Sequence, residues 1–152
     1  MLKSDPPVVI EETFDVDGPT VWTALTKVEQ MRQWYFDNIP AFKPEVGFET
    51  VFTVENEGRV FPHRWRVTEV QPVKKISYDW RYDGYPGDAM VTFALSDSGN
   101  STRLTLTMVV LEDFPDDIPE FTRESCIGGW EYFIRKRLKD YLAVVANDGR
   151  KS

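Results

Sequence analysis

The chain has 152 residues, 41% of them hydrophobic and 14% aromatic, which is long enough for a substantial core without covalent staples. Its 25 acidic against 18 basic residues give a net charge of −7, which argues against duplex nucleic acid as the main partner. One cysteine, Cys126, excludes an internal disulfide, and one histidine, His63, excludes a metal site built from two.

The N-terminal "MLKSDPPVVIEETF" has no basic segment followed by a long apolar one, so it does not read as a signal peptide. No apolar run is long enough for a membrane span. These features, with the lone cysteine, place the protein in the cytoplasm as a single domain over 1–152, with an ordered core of about 8–146 and loose tails, "MLKSDPP" and "ANDGRKS".

In chain order, "VVIEETFDVD" alternates as a strand, with Val8, Ile10, Phe14 and Val16 on one face. "GPTVWTALT" opens a short helix with Pro19 in its first turn. Thr26 and Glu29 stand at capping-box spacing, which predicts a second short helix starting there and carrying Met31, Trp34 and Tyr35.

From Val46 the period becomes two. "FETVFTV", "RVFPHRWRVTEV", "KISYDWRY", "MVTFAL" and "TRLTLTMVVL" read as five consecutive strands of an antiparallel meander with one apolar face. Glu57-Gly58 marks a hairpin turn between the first two. Asp116, Asp117 and Pro119 are expected to start a long helix spanning about 120–145. Its stripe is Ile127, Trp130, Ile134, Leu138, Tyr141 and Val145. Glu131–Arg135 and Lys136–Asp140 stand at ion-pair spacing on its solvated side, within the basic run "RKRLK".

The pair Gly128-Gly129 stands inside this helix, where each glycine costs about 1 kcal/mol relative to alanine. The expectation is that the pair leaves room beside Trp130, either for close backbone packing or for a bend that admits a ligand.

The stretches "VWTALTKVEQMRQWY", "VTEVQPVKKISYDW", "GNSTRLTLT" and "GGWEYFIRKRLKDYL", in that order, resemble the activator of heat-shock protein 90 ATPase homologue-like family. That family lies within the START-like, birch-pollen-allergen-like (SRPBCC) superfamily, and the resemblance covers roughly 8–145. It implies an α+β helix-grip fold: a curved antiparallel sheet of about six strands wrapped on a long C-terminal helix, with two short helices after the first strand. It also implies an apolar cavity in many members, among them lipid binders, hormone receptors and cyclases.

The chain carries no phosphate loop, dinucleotide fingerprint, nucleophile elbow or zinc spacing. The carboxylates Glu112, Asp113, Asp116 and Asp117 suit a strand end and a helix start and lack the spacing of a calcium loop. No cofactor, metal or catalytic set is therefore expected. The abundant aromatics need either a dense core or a cavity, and buried Tyr and Trp tips want partners. The expected ligand-binding residues are Trp34, Phe52, His63, Trp65, Tyr78, Trp80, Phe93, Met108, Trp130 and Ile134.

The leading reading is a binding protein for a small hydrophobic or amphipathic ligand such as a lipid, tied by resemblance to stress response, with no nucleic acid and no membrane insertion. One alternative is an enzyme of the polyketide-cyclase or hydrolase-like type, favoured if His63 converges with a tyrosine or carboxylate in a pocket. The other is a protein-docking module that activates a chaperone ATPase, favoured by a fully packed interior.

Overall fold

In the computed structural model, which describes residues 1–151 with side chains through Asn147, six strands form one antiparallel sheet. Strand β1 is Val8–Phe14. Helices α1 (Gly18–Thr26) and α2 (Val28–Trp34) follow it. The meander is β2 (Glu49–Asn56), β3 (Arg59–Gln71), β4 (Lys75–Tyr82), β5 (Asp88–Asp97) and β6 (Thr102–Glu112). The order across the sheet is β1-β6-β5-β4-β3-β2, so the first strand closes beside the last. The C-terminal helix consists of α3 (Arg123–Glu131), a wider π segment (Tyr132–Leu138) and α4 (Lys139–Lys151). This is the expected α+β helix-grip architecture.

Local chemistry sets most boundaries. Asp17 caps α1 by accepting from the Thr20 N–H at 2.9 Å, ahead of Pro19. At the β2–β3 hairpin Glu57 and Gly58 have φ of +50° and +82°, the two positive values a primed turn requires.

Several expectations at helix ends are corrected. The capping box at Thr26 and Glu29 does not form: Lys27 stands at the N-cap of α2, and the Thr26 hydroxyl donates back to Trp22 O. Asp116 and Asp117 do not start the long helix. A separate 3₁₀ turn, Pro119–Phe121, intervenes, and Thr122 caps α3 by accepting from the Ser125 N–H. The N-terminal tail is pinned rather than loose. The Met1 ammonium donates to Phe121 O at 2.7 Å, and Lys3 N donates to Asp113 at 2.6 Å. The other tail is helical from Ala146 to Lys151, and Ser152 lies outside the described residues.

The buried residues of the helix are Trp130, Ile134, Leu138 and Leu142, a strict four-residue recurrence. Tyr141 and Val145, expected on the stripe, are only half-buried. At 100° per residue an α-helix overshoots by about 40° every four residues, so such a stripe walks off its face. The π segment, with its i→i+5 bonding, takes up the excess and keeps the four residues in line. The basic run fixes the helix. Lys139 pairs with Glu12, Arg137 donates to Gln33 O, and Lys136 pairs with Asp140. Arg135 reaches toward Glu11 O and is not paired with Glu131.

The glycine pair does not serve close packing. A Cβ built on Gly128 or Gly129 meets no atom within 4 Å beyond the helix's own backbone and its immediate neighbours. The widened turn begins directly behind the pair, where the Tyr132 N–H is shared between Gly128 O and Gly129 O.

One end of the interior is filled by Tyr35, which follows α2. Its ring stacks on Trp34 at 4.5 Å and on Trp65 at 5.2 Å, and meets Phe133 edge-on at 5.1 Å. Its hydroxyl bonds that of Tyr78 at 2.9 Å, and burial pushes both phenols well above their ordinary pKa. Tyr35→Phe leaves the Tyr78 hydroxyl buried and unpaired, and is expected to cost about 1–3 kcal/mol in a urea melt. Tyr35→Phe with Tyr78→Phe is expected to recover part of that loss, since no orphan hydroxyl remains.

Candidate functional site

The other end of the interior is open. A cavity of about 410 Å³ lies between the concave face of β2–β4 and the start of the C-terminal helix. Phe61, His63, Trp80 and Tyr82 face it from adjacent strands because alternation sends these positions inward. Met108 contributes from β6, Phe36 from the residues after α2, and Phe121, Trp130 and Phe133 from the helical side. Phe36 and Phe133 meet at 5.0 Å. Exposed Asn56 and Ser125, with half-buried Glu120 and Gly129, mark the mouth.

Of the expected binding residues, His63, Trp80, Met108 and Trp130 stand in the cavity wall. Trp34, Trp65, Tyr78, Phe93 and Ile134 are packed into the core away from it, and Phe52 lies behind His63, stacked on it at 5.0 Å. Trp34 uses its indole to donate to Ala24 O at 2.7 Å, tying α2 to the end of α1. Sequence reasoning missed Phe36, Tyr82, Phe121, Gly129 and Phe133 as wall residues. Tyr82 shares the β4 face of Tyr78 and Trp80, so the alternation held the signal. Phe133 had none, because the π segment is not visible in the residue pattern.

His63 is 5% exposed, and its Nδ1 lies 2.9 Å from Phe61 O. A carbonyl only accepts, so Nδ1 carries the proton and Nε2 is left with a bare lone pair. Burial holds the imidazole down at about 4, so it is neutral at physiological pH. The Tyr82 ring meets it edge-on at 4.7 Å, and burial raises the Tyr82 phenol. Beside them the Trp80 indole N–H is buried with no hydrogen-bond partner. It lies near enough to the Tyr82 hydroxyl to favour the phenolate slightly, but outside bonding geometry.

Met108 Sδ takes two weak donors, Cys126 Sγ at 3.3 Å and Trp130 Nε1 at 3.4 Å. Burial pushes the Cys126 thiol up to about 11, which makes it a poor nucleophile. At the mouth Glu120 is held ionised by Arg59 at 2.8 Å and by Asn56 at 2.7 Å. Among the described residues no group of three or more His, Cys, Asp or Glu is placed to hold a metal.

This arrangement is that of a START-like protein: a helix gripped by a curved sheet, with an aromatic cavity between them. Residues 16–143 match the family described as Activator of Hsp90 ATPase homolog 1-like protein, and the chain belongs to that family. The fold is similar to that of protein CV1439 from Chromobacterium violaceum, with TM-score 0.74 and 21% identity over 90% of this chain and 96% of that one. The Aha1 dimer from Colwellia psychrerythraea gives 0.68 and 19% over 91% and 96%. DynU16, from the dynemicin biosynthetic locus, gives 0.70 and 23% over 91% of this chain and 48% of its own. No curated protein sequence matches significantly. Among the described residues no helix is long and apolar enough to cross a membrane.

Two predictions follow from the site. Gly129 has an unobstructed Cβ direction at the mouth, so Gly129→Ala is expected to raise stability by about 1 kcal/mol, read as a higher melting temperature. Gly129→Leu is expected to fold equally well and to narrow the entrance.

The second concerns pH. Asp88, at the start of the interior strand β5, is raised to about 7 by burial and by neighbouring Asp79, with Arg81 acting against this at 3.0 Å. His63, depressed below its unfolded value, adds stability at neutral pH that is lost as pH falls from about 6.5 to 4. Asp88, raised above its unfolded value, adds stability at about pH 4 that is lost as pH rises toward 7. The two slopes oppose each other in one window. Urea melts across it are expected to show His63→Phe losing acid sensitivity, and Asp88→Asn losing the decline toward neutrality.

Proposed function

We propose that the protein binds a small hydrophobic or amphipathic molecule in the cavity between β2–β4 and the C-terminal helix, without chemistry of its own. The observation that carries this reading is the cavity itself: about 410 Å³, walled mainly by aromatic side chains, with few polar groups. That size falls within the ordinary range of ligand sites, about 300–1,000 Å³. Apolar burial at about 25 cal/mol per Å² supplies the affinity. The family tie supports a stress-related role, and the lone unpaired cysteine supports a cytoplasmic setting.

The convergence of His63 and Tyr82 favours a second reading, a cyclase-like enzyme with these two as acid and base. The low basicity of His63 weighs against it, since a base held near 4 accepts protons poorly at neutral pH. The chaperone-docking alternative lacks the fully packed interior that favours it.

Thermal denaturation against a panel of lipids and aromatic compounds tests the binding reading. A ligand at a hundred times its Kd adds about 2.7 kcal/mol, and so raises the melting temperature by about 5–10 °C. A panel that produces no shift removes the reading in favour of docking. Turnover of a bound compound that is lost in His63→Gln establishes the enzyme instead.

A further inference from the structure

The polar groups that open into the cavity differ from those that merely surround it. His63 Nε2 and the Tyr82 hydroxyl have no hydrogen-bond partner among the described residues, and neither is sealed from the cavity they line. One is an acceptor with a fixed tautomer, and the other is a hydroxyl free to donate. They stand on adjacent strands, with their rings at 4.7 Å. No lysine or arginine contributes to the wall. The charged groups at the wall are the Glu120 carboxylate, engaged by Arg59, and the Met1 ammonium, which donates to Phe121 O.

We propose that the cavity selects a neutral aromatic molecule bearing a hydroxyl, whose O–H donates to His63 Nε2 while its oxygen accepts from Tyr82, and that it rejects carboxylates of the same shape. This rests on the ligand-binding reading above and narrows it. A hydroxyl satisfies both open groups at once. A carboxylate brings no proton for Nε2 and loses its hydration among aromatic faces beside Glu120, and the wall's cation, the Met1 ammonium, is already engaged by Phe121 O. The aromatic preference follows from the wall, where Trp80, Trp130, Phe36 and Phe133 present ring edges and faces to a planar guest.

A matched series separates the two levels. Naphthalene, naphthol and naphthoate share one ring system and differ in the group that reaches His63. Titration calorimetry of the full chain at neutral pH is expected to show naphthol binding about three- to tenfold tighter than naphthalene, the worth of one net hydrogen bond. Naphthoate is expected to bind at least about tenfold more weakly than naphthol, the cost of an unpaired buried charge. In His63→Phe the advantage of naphthol over naphthalene is expected to vanish, with naphthalene affinity kept. Tyr82→Phe is expected to reduce that advantage in part.

Naphthoate binding as tightly as naphthol overturns the inference while leaving the cavity reading in place. So does a naphthol advantage that survives both substitutions. If His63→Phe does not fold, the wild-type series still decides between the two charge states. Absence of binding by all three compounds removes the cavity reading, and this inference falls with it.

Discussion

The structure depends on how one ring is held. Tyr35 leaves the end of α2, crosses the concave face of the sheet, and is fixed there by the hydroxyl of Tyr78. Around it the rings of Trp34, Trp65, Phe93 and Trp130 lie within 6.4 Å and close one end of the interior. A single hydrogen bond between neutral hydroxyls is worth only about 1 kcal/mol net. Its larger consequence is positional: it fixes how far α2 reaches over the sheet, and so where filled core stops and open space begins. Phe36, the next residue, already belongs to the cavity wall.

A twisted antiparallel sheet and a nearly straight helix cannot match along their whole length. At the α4 end the mismatch is taken up by Leu138 and Leu142, and in the middle by Trp130 and Ile134. The π segment permits this by holding a four-residue stripe in register with the strands. Its cost is local: the extra residue per turn displaces neighbouring side chains, and Phe133 ends in the cavity wall. The bare glycine pair just before the widened turn then leaves the entrance unobstructed. Packing at one end and access at the other come from the same helical irregularity.

These elements were unequally legible in the residue pattern. The sheet was plain because alternation in "FPHRWRV" or "KISYDWRY" states directly which side faces in. The turn Glu57-Gly58 was plain because its φ values admit few residues. What the pattern does not carry is where along a face the core ends. Tyr78, Trp80 and Tyr82 alternate identically, yet Tyr78 is sealed against Tyr35 while Trp80 and Tyr82 border open space. That division is set by a residue some forty positions away, and periodicity is a local signal. The π segment is hidden for a related reason: a 3.6-residue period placed Tyr141 and Val145 on the stripe, whereas the widened turn selects Leu142. The carboxylates of Asp116 and Asp117 matched a helix start by composition, but the two-proline segment spent its bonds on a 3₁₀ turn first.

Polar satisfaction is uneven through the interior. On the filled side Trp34 reaches Ala24 O and the two tyrosine hydroxyls meet each other. Toward the open side the Trp80 indole N–H is buried without a partner and His63 keeps a bare Nε2, while within the core the Trp65 indole N–H, beside Tyr35, also has none. Each such orphan costs about 1–3 kcal/mol, a large share of a domain's stability of about 5–15 kcal/mol. Those of Trp80 and His63 stand in the cavity wall, where their hydrogen-bonding capacity is within reach of a guest. The surface shows the converse. Arg64, Arg81, Lys136 and Lys139 are all engaged by carboxylates outside the cavity. Apart from Glu120 and the Met1 ammonium at its wall, the cavity is left to neutral donors, neutral acceptors and rings.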